Sequence, residues 1–123
     1  MKKYEINNKT MALYAMSEKT RVYEEERSFV VDQPANEIME ESCAYFGSSL
    51  SGRRKGTEKL IGASYKAPVI VEETKNIIFF PTSSHKSNSC SWLRSSKVER
   101  YFYKNGKLIV EFVNGDKLAL NVS

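Results

Sequence analysis

At 123 residues, 41% hydrophobic and 28% charged, the chain has the size and balance of one globular domain, residues 1–123, which argues against a disordered tail or a fibrous chain. The longest apolar runs, near Ala67–Val71 and Ile77–Phe80, are too short to cross a bilayer, and the basic start Met1-Lys2-Lys3 leads into no apolar run of the kind a secretory signal needs, so a soluble, cytoplasmic chain without a membrane partner is expected. The net charge is +4 and uneven: Ser17–Glu41 holds eight acids against three bases (−5), and Ser42–Lys107 holds twelve bases against four acids (+8), a basic body that favours a polyanion.

The first third reads as short strands at Met11–Met16, Thr20–Glu24 and Ser28–Val31, the last two joined through Glu25-Glu26 as a hairpin. A helix follows over Pro34–Phe46. Asp32 or Gln33 can cap it, Pro34 fits its first turn, and Glu37 lies near the positive end of its dipole. Ala35, Ile38, Met39, Ser42, Cys43 and Phe46 recur at helical spacing and predict one buried stripe, with Gly47 free to take the left-handed residue that ends it.

The chain then turns small, polar and basic from Gly47 to Thr57, a loop with three glycines and three serines, and Glu58–Ile61 can add one helical turn. Strands resume at Val69–Val71 and Ile77–Phe80, where Pro81 ends the run. A polar loop, Thr82–Ser91, holds the only histidine, His85, and precedes the only tryptophan, Trp92. Lys97–Tyr103, Leu108–Val113 and Lys117–Val122 read as a meander divided by Asn105-Gly106 and Asn114-Gly115, because Asn-Gly accepts the positive φ of a type I′ hairpin turn. Leu108, Val110 and Phe112 face one way, and Leu118, Leu120 and Val122 match them. The expected fold is therefore α+β and β-rich: antiparallel sheet or sheets, a C-terminal three-stranded meander and one main helix over about 34–46.

Several chemistries can be weighed on residue types. Gly47 to Gly52 has the glycine spacing of a phosphate-binding loop, but Arg53 and Arg54 stand where Lys and Ser or Thr are required, and a helix precedes the glycines where a strand belongs. Nucleotide hydrolysis is thus rejected, although a glycine-rich turn beside Arg53, Arg54 and Lys55 can still cradle a polyanion backbone. Cys43, His85 and Cys90 offer no C-x-x-C pair and no fourth ligand, so two buried thiols are expected rather than a metal site or a cysteine nucleophile. No cofactor is implied. The acid clusters Glu24–Glu26, Glu40–Glu41 and Glu72–Glu73 read as solvated faces and turn flanks. The run Tyr101-Phe102-Tyr103 can stack on bases but is read chiefly as core.

The central loop also carries a resemblance. Ser42-Cys43-Ala44-Tyr45-Phe46-Gly47-Ser48-Ser49, followed by Gly52-Arg53 and Gly56-Thr57, closely resembles the signature of the competence transcription factor (ComK) family, S-C-x-aromatic-F-G-S-S-x-x-G-R-x-x-G-T. Lys66–Val71, Ile78–Thr82, Cys90-Ser91-Trp92 and Phe112–Gly115 follow in the family's order, so the resemblance covers roughly residues 38–122. It implies a transcription activator of competence genes, not an enzyme, that binds paired A/T-rich boxes through the minor groove and acts as a homo-oligomer under an adaptor–protease system. A-tracts have a narrow, strongly negative minor groove that attracts Arg and Lys. Arg53, Arg54 and Lys55, with Ser48, Ser49, Lys66 and Lys86, are the expected DNA contacts, and Arg94, Lys97 and Arg100 rank below them as solvated surface. Family members continue past the meander with a basic, helical region tied to adaptor recognition, so a chain ending at Ser123 reads as a short member or a shortened chain in which the adaptor link is in doubt. The alternative reading is a protein-interaction module that pairs with a full-length regulator without binding DNA itself.

Overall fold

The computed structural model describes residues 3–45, 69–72, 74–75, 77–83 and 89–121. The first three strands form where expected: β1 at Thr10–Met16, β2 at Lys19–Glu24 and β3 at Ser28–Val31. β1 and β2 meet across a two-residue turn in which Met16 opposes Lys19 and Ser17 takes φ 67°, a conformation uncommon for a residue with a side chain. β3 pairs back on β2 in antiparallel register, as the hairpin reading required.

Helix α1, Ala35–Tyr45, starts where the Pro34 carbonyl accepts the amides of Glu37 and Ile38. Ala35, Ile38, Met39, Ser42 and Cys43 of the predicted stripe are all buried, while Phe46 lies outside the described residues. Gln33 is occupied elsewhere: its Oε1 accepts the Tyr4 amide at 3.1 Å and its Nε2 donates to Glu41 at 2.8 Å. The turn expected at Glu58–Ile61 also falls outside the described residues.

β4 (Val69–Glu72) and β5 (Ile77–Pro81) form a hairpin, and a strand the sequence did not suggest, β6 (Trp92–Arg94), pairs with both β5 and β1. The result is a six-stranded antiparallel sheet in the order β3-β2-β1-β6-β5-β4. Strands β1 and β6 are central, so only three residues of β6 join the two halves of the sheet. A single turn of 3-10 helix at Ser95–Lys97 then turns the chain into the meander β7 (Val98–Lys104), β8 (Lys107–Phe112) and β9 (Lys117–Leu120), which forms a separate three-stranded sheet.

The register of the meander pairs Leu108 with Leu120 and Val110 with Leu118, the same-face matching that the alternation predicted. Its two turns differ, however. Asn105 (φ 53°) and Gly106 (φ 77°) both take positive φ, as a type I′ turn requires. At the second turn only Gly115 does (φ 93°). Its amide bonds the Phe112 carbonyl, and the Phe112 amide bonds the Asp116 carbonyl, which makes a three-residue loop closing on a left-handed glycine.

The six-stranded sheet carries a packed layer on each face. On one side α1 and the N-terminal segment cover it: Tyr4, Ile6, Ile38, Met39 and Cys43 pack with Leu13, Val22, Phe79 and Trp92. Trp92 is fully buried there, and its Nε1–H donates to Asn36 Oδ1 at 3.0 Å, tying helix to sheet. On the other side Met11, Ala12 and Leu93 pack against Val110, Phe112, Leu118 and Leu120 of the meander. The architecture is helix, sheet, sheet: α+β and strand-rich, with antiparallel pairing throughout the described residues.

Candidate nucleic-acid interface

The leading sequence candidates, Arg53, Arg54 and Lys55, lie outside the described residues, as do Ser48, Ser49, Lys66, Lys86 and His85. Of the lower-ranked bases, Arg94 is not solvated surface. It is only 4% exposed, on central strand β6, and its Nη1 donates to the Asn8 carbonyl at 2.6 Å. Burial holds its pKa below the usual guanidinium value, against the opposing pull of Glu25. This arginine pins the N-terminal segment to the sheet instead of facing a ligand. Lys97 is ion-paired with Glu25 and Arg100 with Glu111, so both have internal partners.

The acidic segment is likewise more structural than its composition implied. Glu24 is 4% exposed and is not part of a solvated face. It accepts the Tyr4 hydroxyl at 2.5 Å, the Arg27 Nε–H at 2.8 Å and the Asn7 amide at 3.4 Å. Burial pushes its pKa up, but the hydrogen bonds from Tyr4, Arg27 and Asn7 together outweigh that and hold the carboxyl below its ordinary value. Burial, reinforced by the same carboxylate, pushes the Tyr4 phenol well up. Lys97 holds the Glu25 carboxyl low, and the Glu25 carbonyl accepts Asn114 Nδ2 at 2.8 Å, so the β2–β3 turn is fastened to the meander.

The two thiols are buried, Cys43 on the inner stripe of α1 and Cys90 just before β6. Among the described residues no group of three or more His, Cys, Asp or Glu side chains could hold a metal ion, and no helix is long and apolar enough to cross a membrane.

The aromatic run departs from expectation. Tyr101 (65% exposed), Phe102 (40%) and Tyr103 (69%) are at the surface, not in the core. Strand β7 lies at the edge of its sheet, and whereas Val110, Phe112 and Leu118 pack with Met11, Ala12 and Leu93 of the central sheet, Tyr101 and Tyr103 stay exposed. They border an open groove of about 710 Å³ that Phe80, Leu93, Val98 and Leu108 also line.

The outward face of the meander is basic. Arg100 opposes Glu111, Phe102 opposes Ile109, Lys104 opposes Lys107, and Glu111 opposes Lys117. Glu111 is the one acid among the paired residues of this face and is engaged by Arg100 at 2.9 Å and Lys117 at 3.7 Å. Lys104 and Lys107, flanking the Asn105-Gly106 turn, are exposed and form no ion pair among the described residues. Sequence reasoning did not single them out. The signal was there in a lysine on each side of a turn that places its flanking residues directly opposite one another.

The family model of the ComK protein matches residues 1–123, the entire chain. The competence transcription factor of Bacillus subtilis (strain 168) is 29% identical over 128 aligned residues, which cover 100% of this chain and 67% of that protein. No solved structure matches. The family and this relative support transcription regulation of competence as the role. With the family's pattern matched from the first residue to the last, the chain belongs to the ComK family.

Proposed function

We propose that this chain, acting as one domain, is a DNA-binding regulator of competence genes that recognises A/T-rich boxes through the minor groove. The observation that carries the reading is the family match over the whole chain, together with the likeness to a competence transcription factor. Charge supports it: Ser42–Lys107 holds twelve bases against four acids, an excess that draws a polyanion to this part of the chain. Arg53, Arg54 and Lys55, with Ser48, Ser49, Lys66 and Lys86, are the proposed contacts in that stretch. The partners proposed with this reading are double-stranded DNA, further copies of the chain and an adaptor–protease system, in the cytoplasm, with no catalytic step and no cofactor.

A second reading, a protein-interaction module, is favoured by one specific observation: the groove bordered by Tyr101, Tyr103 and Phe80 beside edge strand β7. An extended segment of a partner could lie along such an edge. Replacing Arg53 and Arg54 with Ala separates the two readings. Under the DNA reading, affinity for an A/T-rich duplex collapses. Retained duplex affinity in that variant would remove these arginines from the interface, and retained partner binding without duplex binding would favour the module.

A further inference from the structure

We propose that the outward face of the β7–β8 hairpin is a second DNA contact surface, in which Lys104 and Lys107 hold backbone phosphates of a duplex. This rests on the DNA-binding reading and assigns to it residues other than those of the Gly47–Thr57 segment.

Three observations converge on this face. Its charge is one-sided: among the paired residues, Arg100, Lys104, Lys107 and Lys117 stand against Glu111. The carboxylate is already shared by Arg100 and Lys117, so the local acid neutralises the base of the hairpin and not its tip. At the tip, Lys104 and Lys107 are directly opposed across the type I′ turn. Like charges placed directly across a strand pair destabilise it. An anion between or above them turns that repulsion into attraction.

The third observation is Phe102, 40% exposed on the same face, next to the lysine pair and opposite Ile109. An apolar ring amid cations suits a surface that lies against sugar and phosphate, which present apolar and anionic groups together. The hairpin also stands clear of the rest of the described chain: from Glu99 to Lys107 every residue is exposed. Because phosphates carry no sequence information, this face positions the duplex and does not select its sequence.

The test is a fluorescence-anisotropy titration of three full-length chains, wild type, Lys104→Ala/Lys107→Ala and Lys104→Arg/Lys107→Arg, against labelled A/T-rich and G/C duplexes between about 50 and 200 mM salt, with labelled poly-glutamate titrated in parallel. The Ala variant should show a slope of log K against log salt shallower by about 2, one unit for each phosphate left without its lysine. The change should be the same on both duplexes, and the Arg variant should keep the wild-type slope. Both lysines are exposed, so thermal melting serves as the check that each variant is folded. Wild-type binding with an unchanged slope in the Ala variant overturns the assignment while leaving the DNA-binding reading intact. Loss of affinity for poly-glutamate with the DNA slope unchanged overturns it in favour of an acidic protein partner. Failure of the wild type to bind either duplex overturns both the assignment and the reading beneath it.

Discussion

The inner face of the C-terminal meander has two sides with opposite fates. On the β9 side Leu118 and Leu120, with Phe112 of β8, are buried against Met11, Ala12 and Leu93 of the central sheet. On the β7 side Tyr101 and Tyr103, level with Leu118 and Leu120 across β8, occupy the same face but border an open groove. Both sides obey the same strand alternation, so the period of two decides which residues share a face and says nothing about whether that face is covered. Cover comes from the partner layer, and the two sides differ in what lies beneath them.

The largest way to test that contrast is Phe112→Ala on the covered side. Phe112 is almost fully buried, so its truncation should cost about 3–5 kcal/mol in chemical denaturation. A cost below about 1 kcal/mol would mean that the meander is not packed on the central sheet as described. Arg94→Ala comes next, at about 1–3 kcal/mol, because it removes the donor bonded to the Asn8 carbonyl that holds the N-terminal segment to the sheet. An unchanged midpoint would return Arg94 to the solvated surface.

Acid titration sharpens the same picture where the β2–β3 turn meets the meander. The carboxyls of Glu24, Glu25 and Glu41 are held below their ordinary values in the folded chain. Their contribution is therefore fully present above the unfolded carboxyl pKa, near about 4.3, and is lost as pH falls through the folded values. Melting temperature should drop from about pH 6 to about pH 3, and Glu24→Gln should start lower and drop less over that interval. A variant with the full wild-type acid response would show that the Tyr4–Glu24–Arg27 cluster is not a source of the effect.

Gly106→Ala should cost about 1 kcal/mol, since φ 77° strains any residue with a Cβ even though the space around it is open. The smallest effect belongs to the open side. Tyr103→Ser should shift stability by no more than about 0.5 kcal/mol, and a large loss there would mean that the groove is closed by a contact within the chain.

Much of the fold was legible because its signals are local. Ala35, Ile38, Met39, Ser42 and Cys43 repeat at helical spacing, and Asn105-Gly106 names its own turn type. Strand β6 was not legible. Trp92-Leu93-Arg94 is short, follows a polar loop and ends in a buried arginine, and its place at the centre of a sheet is set by long-range pairing with β1 and β5. Glu24 was misread for the same reason: its partners Tyr4 and Asn7 lie far back in the chain, and no acid run announces that one member will be buried. The exposed tyrosines follow from β7 being the edge strand beside an open groove, which no pattern within β7 encodes. Of the candidate interface, the Arg53–Lys55 run was plain in the sequence, whereas the Lys104–Lys107 pair required the register.

The most direct test of the central claim is an equilibrium titration of the chain against a fluorescent duplex carrying two A/T boxes, beside a G/C duplex of equal length, at several salt concentrations. The account predicts a preference for the A/T duplex of roughly tenfold or more, the scale of one or two mismatched base pairs, with affinity falling steeply as salt rises. Equal, weak binding to both duplexes would contradict it and leave the protein-interaction reading in its place.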